Sequence, residues 1–236
     1  MRPQLDSPTL AQQETHWIPL SDLMTGLMMV FLLVAVVFMV KVDADSRRIK
    51  EIAVLYERMK NELYTDLKQE FDKDLARWGA EIDPDVTIRF KEPEVLFDTG
   101  RADLKARFKQ ILDEFFPRYV RILDSEKYRD VIQEIRIEGH TSSIWQSADS
   151  RQDAYFNNMR LSQERTRSTL QYVIGISQIL DRSDWLRAHF TANGLSSSKR
   201  IMNSDGTENF SRSQRVEFRV RTDSESRIAK IIEAAE

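Results

Sequence analysis

"SDLMTGLMMVF" (residues 21–31) opens the one long apolar run of this chain, and it opens with an acid. From Pro19 to Val40 the run supplies about the 20 mostly apolar residues that a helix needs to cross a bilayer. Asp22 sits just inside it, where an ionised carboxylate costs about 2.5 to 3.5 kcal/mol if held near the middle of a span. A plain anchor has no use for such a residue. The run is too long for the core of a cleaved signal, and it has no basic leader or small-residue cleavage site, so it reads as an uncleaved single span. Trp17 and Lys41 mark its two interfaces.

Working outward, the 236 residues carry 35 Lys+Arg and 38 Asp+Glu, a net charge of −3. That balance lacks the basic excess that nucleic acid demands, so no nucleic-acid partner is expected. There are no cysteines, which removes disulfides, thiolate catalysis and Cys-based metal centres. The three histidines (His16, His140, His189) have no ligand spacing, and the 7 glycines form no phosphate loop. No nucleophile–base pair is apparent, so neither an enzyme nor a metal site nor a cofactor is expected. His140 reads as a turn or core residue.

Residues 1–16, polar and with Pro3 and Pro8, read as a cytoplasmic arm, and 17–41 as the transmembrane helix. Over 42–82 an amphipathic helix is expected. Ile52, Leu55, Met59, Leu63, Leu67, Phe71, Leu75 and Trp78 recur at three- and four-residue steps on one stripe. A lone helix cannot hide that stripe from water. It either packs on its own domain or self-associates as a stalk. Lys41, Arg47, Arg48 and Lys50 follow the span, and a positive-inside count would keep that side cytoplasmic; long soluble domains translocate largely regardless of such charge.

From residue 83 to 223 the pattern becomes that of a compact α+β domain. "VTIRF" (86–90) and "RVEFRV" (215–220) alternate as strands, and "EIRIEG" (134–139) turns Ile135 and Ile137 to one face. Phe108, Ile111, Leu112, Phe115, Tyr119 and Ile122 form a helical stripe, and a second helix is expected from about Asn158 to Leu180. With "HFTANG" (189–194) the order reads β-α-β-α-β-β, and a C-terminal helix is expected over 224–236.

"VLFDTGRADLK", "IRIEGHT", "NNMRLSQERT" and "SQRVEFRV" stand in the order and spacing of the OmpA-like peptidoglycan-binding domain, which residues 86–222 resemble. The resemblance implies a pocket for the diaminopimelate of the wall peptide, lined by Asn158, Leu161, Ser162 and Arg165. The family's turn acid is absent: Ser142 stands in its place. Arg165 offers a planar fork suited to a carboxylate, or alternatively pairs with a surface acid.

A single span carrying "SDLMT" ahead of such a domain resembles the MotB-like B subunits of ion-driven stators. The resemblance implies that Asp22, with Thr25 one turn later, carries a translocated H⁺ or Na⁺. It also implies that two copies of the chain lie within about five copies of a MotA-like (ZorA-like) membrane subunit. A carboxyl held in apolar surroundings can take up and release a proton instead of staying charged. The bland alternative is an interfacial helix cap. The long regular helix and the missing turn acid bring the plan closer to the MotB-like subunit of the Zorya anti-phage defence system than to a flagellar stator. That implies an inner-membrane protein with its N-terminus cytoplasmic and its C-terminal domain periplasmic on peptidoglycan. A passive membrane-to-wall tether is the alternative of a different class.

Overall fold

The computed structural model describes residues 17–91 and 93–222. The expected arm (1–16) and C-terminal helix (224–236) lie outside the described residues. The expected span and the expected amphipathic segment form one unbroken helix, α1 (Trp17–Trp78), of 62 residues. At about 1.5 Å per residue it is roughly 93 Å long. From Leu20 to Val42 every residue is exposed in the single chain, although most are apolar. This stretch is the one helix among the described residues long and apolar enough to cross a membrane.

Lower down, α1 joins the domain. Leu63, Leu67, Phe71 and Trp78 are buried, packed on α3 (Ala106–Leu123). The Phe71 and Trp78 rings lie 5.3 and 5.9 Å from Phe115. Arg118 places its guanidinium 4.9 Å over the Phe71 ring and donates to Glu70 and Asp74, each at 2.7 Å. Of the two readings of the stripe, packing on its own domain therefore holds for residues 63–78. Ile52 and Met59 remain half-buried, and Val54 is exposed. The helix also ends at Trp78, four residues before the expected boundary. Gly79 takes a φ of 62°, which breaks the helix, and β1 (Ala80–Ile82) follows.

The sheet is five-stranded in the order β1-β2-β5-β3-β4, with β2 (Thr87–Phe90), β3 (Ile132–His140), β4 (Phe190–Gly194) and β5 (Arg215–Thr222). Only β3 and β4 run parallel; β1–β2, β2–β5 and β3–β5 pair antiparallel. The expected β-α-β-α-β-β series is present from β2 onward, with α3 and α4 (Arg151–Ile174) as its two long helices. The short helices α2 (Pro93–Leu96), α5 (Ser183–His189) and α6 (Phe210–Ser213) complete it. Alternation gives the sheet two unlike faces. Ile88, Phe90, Ile135, Ile137, Val216 and Phe218 enter the core with α3. The opposite face is charged.

The second long helix differs from expectation at both ends. It starts seven residues early because the Ser150 side chain caps it, accepting from the Asp153 N–H at 3.1 Å. It stops at Ile174, where Gly175 is its C-cap, and a 3-10 turn over Ser177–Arg182 follows instead of more helix.

Candidate functional site

Along α4 the residues Asn158, Leu161, Ser162 and Arg165 fall at i, i+3, i+4 and i+7, which is one face of a helix. All four are buried. The tight seat of that face comes from glycines in the neighbouring strands. A Cβ at Gly194 would lie 2.2 Å from the Gln163 nitrogen, and one at Gly139 would lie 2.8 Å from the Ser162 carbonyl oxygen.

Each polar member of the face fastens a different loop. Asn158 Nδ2 donates to the Ile144 carbonyl at 3.2 Å and so ties down the loop after β3. Ser162 Oγ accepts the Ser196 N–H at 3.0 Å. Ser196 in turn donates from its hydroxyl to the Tyr155 carbonyl at 2.8 Å, and its carbonyl accepts from Thr141 N–H at 2.9 Å. This binding holds Ser196 at φ 52°, a left-handed conformation uncommon for a residue with a Cβ. Arg165 donates from Nε to the Arg101 carbonyl at 2.9 Å and from Nη2 to the Asp98 carbonyl at 3.1 Å. Its guanidinium lies 4.8 Å over the Phe97 ring.

Arg165 does not pair with a surface carboxylate. Burial pulls its guanidinium down to about 10, and no carboxylate of the described residues offsets that loss of solvation. It stays charged at neutral pH, a buried cation held by neutral carbonyls. Ser142 is buried in the loop after β3. Beside it, Ser143 donates from its N–H and hydroxyl to Glu208, at 3.0 and 2.5 Å. Glu208, absent from the sequence reading, thus brings an acid to the loop whose expected acid is missing. Its signal was not local: 65 residues separate it from Ser143.

Asp22 and Thr25 lie near the start of α1, one turn apart, both exposed in the single chain. Thr25 spends its hydroxyl proton on the Ser21 carbonyl at 2.8 Å, which leaves its oxygen as an acceptor. Asp22 is preceded by helical residues from Trp17 onward, so it is not the residue that caps the helix.

The charged face of the sheet holds a third constellation. Across the strands one row runs Glu81, Arg89, Glu217, Glu138. Arg89 Nε and Arg215 Nε both donate to Glu217 Oε1 at 2.7 Å. Burial alone would raise the Glu217 carboxyl; His140, Arg215 and Arg89 more than offset it and hold it well below the usual carboxylate range. His140, two residues after Glu138 and so on the same face, is buried beside both acids.

No protein-family model matches the chain. Among solved structures, a MotB-like protein from Desulfovibrio vulgaris is 26% identical, covering 70% of this chain and 96% of its own, with a TM-score of 0.49. The periplasmic domain of Helicobacter pylori MotB (residues 78–256) is 15% identical, covering 63% of this chain and 85% of its own, with a TM-score of 0.42. Among curated proteins, the Zorya protein ZorB of Escherichia coli (strain Crooks) is 47% identical over 227 residues, 96% of each chain. Identity at that level over almost the whole of both chains decides the assignment: the chain belongs to the ZorB family of Zorya proteins.

Proposed function

We propose that this protein is the B subunit of an ion-driven, stator-type membrane unit of the Zorya anti-phage system. In this reading α1 spans the inner membrane once, with its N-terminus cytoplasmic and the sheet domain periplasmic against peptidoglycan. The carrying observation is Asp22 within an apolar helix whose residues from Leu20 to Val42 are all exposed in the single chain. Neither the acid nor a surface of that kind is sheltered by one copy. Two copies enclosed by a MotA-like subunit, about five of them, would shelter both and place Asp22 and Thr25 on an ion path for H⁺, with Na⁺ the alternative. The buried Arg165, with no carboxylate to pair with, supports binding of a wall-peptide carboxylate near the loops that Asn158, Ser162 and Ser142 position.

Asp22→Asn keeps the shape of the side chain and removes its proton chemistry. The expected outcome is loss of phage protection at unchanged membrane level and unchanged assembly with the partner. Full protection by this variant would leave a passive tether as the better reading, since a tether gains nothing from an intramembrane acid.

A further inference from the structure

We propose that Glu138, His140 and Glu217 form a binding site for a divalent transition-metal cation of the Zn²⁺ class, clamping β3 to β5 on the charged face of the sheet. Glu138 and Glu217 stand directly opposite one another in the β3–β5 register. Two carboxylates facing across strands repel, and both are more than nine-tenths buried. Of these two acids Arg89 and Arg215 bond Glu217 and not Glu138, both through Oε1, and Arg89 also pairs with Glu81 and Asp83. Glu217 Oε2 and the Glu138 carboxylate are left facing His140.

His140 is 3% exposed, and neither ring nitrogen has a hydrogen-bond partner among the described residues. With no hydrogen bond to either nitrogen, the buried ring is answered by the two carboxylates, through a proton on the imidazole or through a cation held between the three groups. Its Nε2 lies 3.5 Å from Glu217 Oε2 and 3.8 Å from Glu138 Oε2. Both distances exceed the roughly 2.7–3.2 Å of an N–H···O bond. The shorter matches the edge of a coordination tetrahedron, which is about 3.3–3.6 Å when ligand bonds are about 2.0–2.2 Å, and the longer lies just beyond it. One donor atom from each of the three residues falls within 4.8 Å of the others. No direct hydrogen bond fits that spacing. A cation that draws the three atoms inward would satisfy all of them.

The donor set selects the class of ion. One imidazole with two carboxylates suits Zn²⁺ and its neighbours, whereas Ca²⁺ and Mg²⁺ favour all-oxygen shells and more ligands. Arg89 and Arg215, fixed on Glu217 Oε1, aim Oε2 at the centre in the way that outer partners orient a ligating carboxylate. All three residues line a cleft of about 910 Å³, which supplies an entry path and room for a water as the fourth ligand.

The test uses the full-length chain without a histidine tag, in detergent, stripped with chelator and titrated with ZnCl₂. Retained zinc is counted by elemental analysis and affinity is read by calorimetry. The proposal expects about one Zn²⁺ per chain, with Glu138→Gln and His140→Gln each weakening binding at least tenfold. Absence of retained zinc in the wild type, or wild-type affinity in both variants, overturns it. Should either variant fail to fold, X-ray absorption on the zinc-loaded wild type decides. One imidazole and otherwise oxygen in the first shell supports the site; two imidazoles, or none, overturn it.

Discussion

The Asp66 carboxylate of α1 accepts the Tyr128 hydroxyl at 2.6 Å, joining the long helix to the loop beyond α3 across 62 residues of sequence. Lys127 donates to the same oxygen at 2.9 Å. The Tyr128 and Lys127 bonds outweigh burial and hold the Asp66 carboxyl below its ordinary value. A depressed carboxyl contributes stability above its unfolded value and loses it as pH falls through the folded one. Asp74, held down by Arg77 and Arg118, acts in the same direction. Urea midpoints of the full chain in detergent should therefore be flat from pH 7 to 5 and fall below about pH 4. Asp66→Asn should flatten part of that fall and cost about 0.5–1.5 kcal/mol at neutral pH.

The buried half of the α1 stripe belongs to the core of the domain. Leu67→Ala should cost about 2–5 kcal/mol in urea unfolding. The exposed Val54, changed to Ala, should stay within about 0.5 kcal/mol. A single cysteine at Leu67 should resist a maleimide under native conditions, and one at Val54 should react. Rapid labelling at Leu67 would mean that the helix leaves the domain in solution.

Gly194→Ala should destabilise strongly. Its Cβ would meet backbone and side chain of Gln163 on α4 at 2.2–2.6 Å, with no flexible tip to yield. A loss of about 1–3 kcal/mol or more is expected, read as a lower melting temperature. Gly206→Ala has open space around its Cβ but a φ of 81°, and should cost less, through backbone strain alone.

For the wall-binding reading, Arg165→Ala should reduce co-sedimentation with sacculi more than tenfold. Removing a charge-assisted contact is worth about 1.5–3 kcal/mol. Arg165→Lys keeps the charge but not the fork that reaches the Asp98 and Arg101 carbonyls. It should retain part of the binding while lowering the urea midpoint. Ser142→Asp, which adds an acid beside the same loop, should tighten binding to sacculi. Unchanged sedimentation across all three variants would remove Arg165 and its loop from the binding surface.

Much of this protein is written in local pattern. An apolar run of membrane-spanning length, alternation in "EIRIEG" and "RVEFRV", and the Phe108–Tyr119 stripe each encode one element, because period and burial are set by neighbours a few residues away. Asn158, Leu161, Ser162 and Arg165 were singled out by the resemblance to the OmpA-like domain, and the helical period then places them on one face of α4. Even the early start of α4 had a local signal, the Ser150–Asp153 cap, which the apolar pattern alone does not reveal. Tertiary structure decided what those faces meet. Nothing near Leu67 or Phe71 says that Phe115 and Arg118, more than forty residues on, will cover the stripe. Nothing near Arg165 says that it will grip the carbonyls of Asp98 and Arg101. Strand register alone brings Glu217 opposite Glu138 and beside His140. A register is a property of two strands at once, and a lone sequence pattern describes only one.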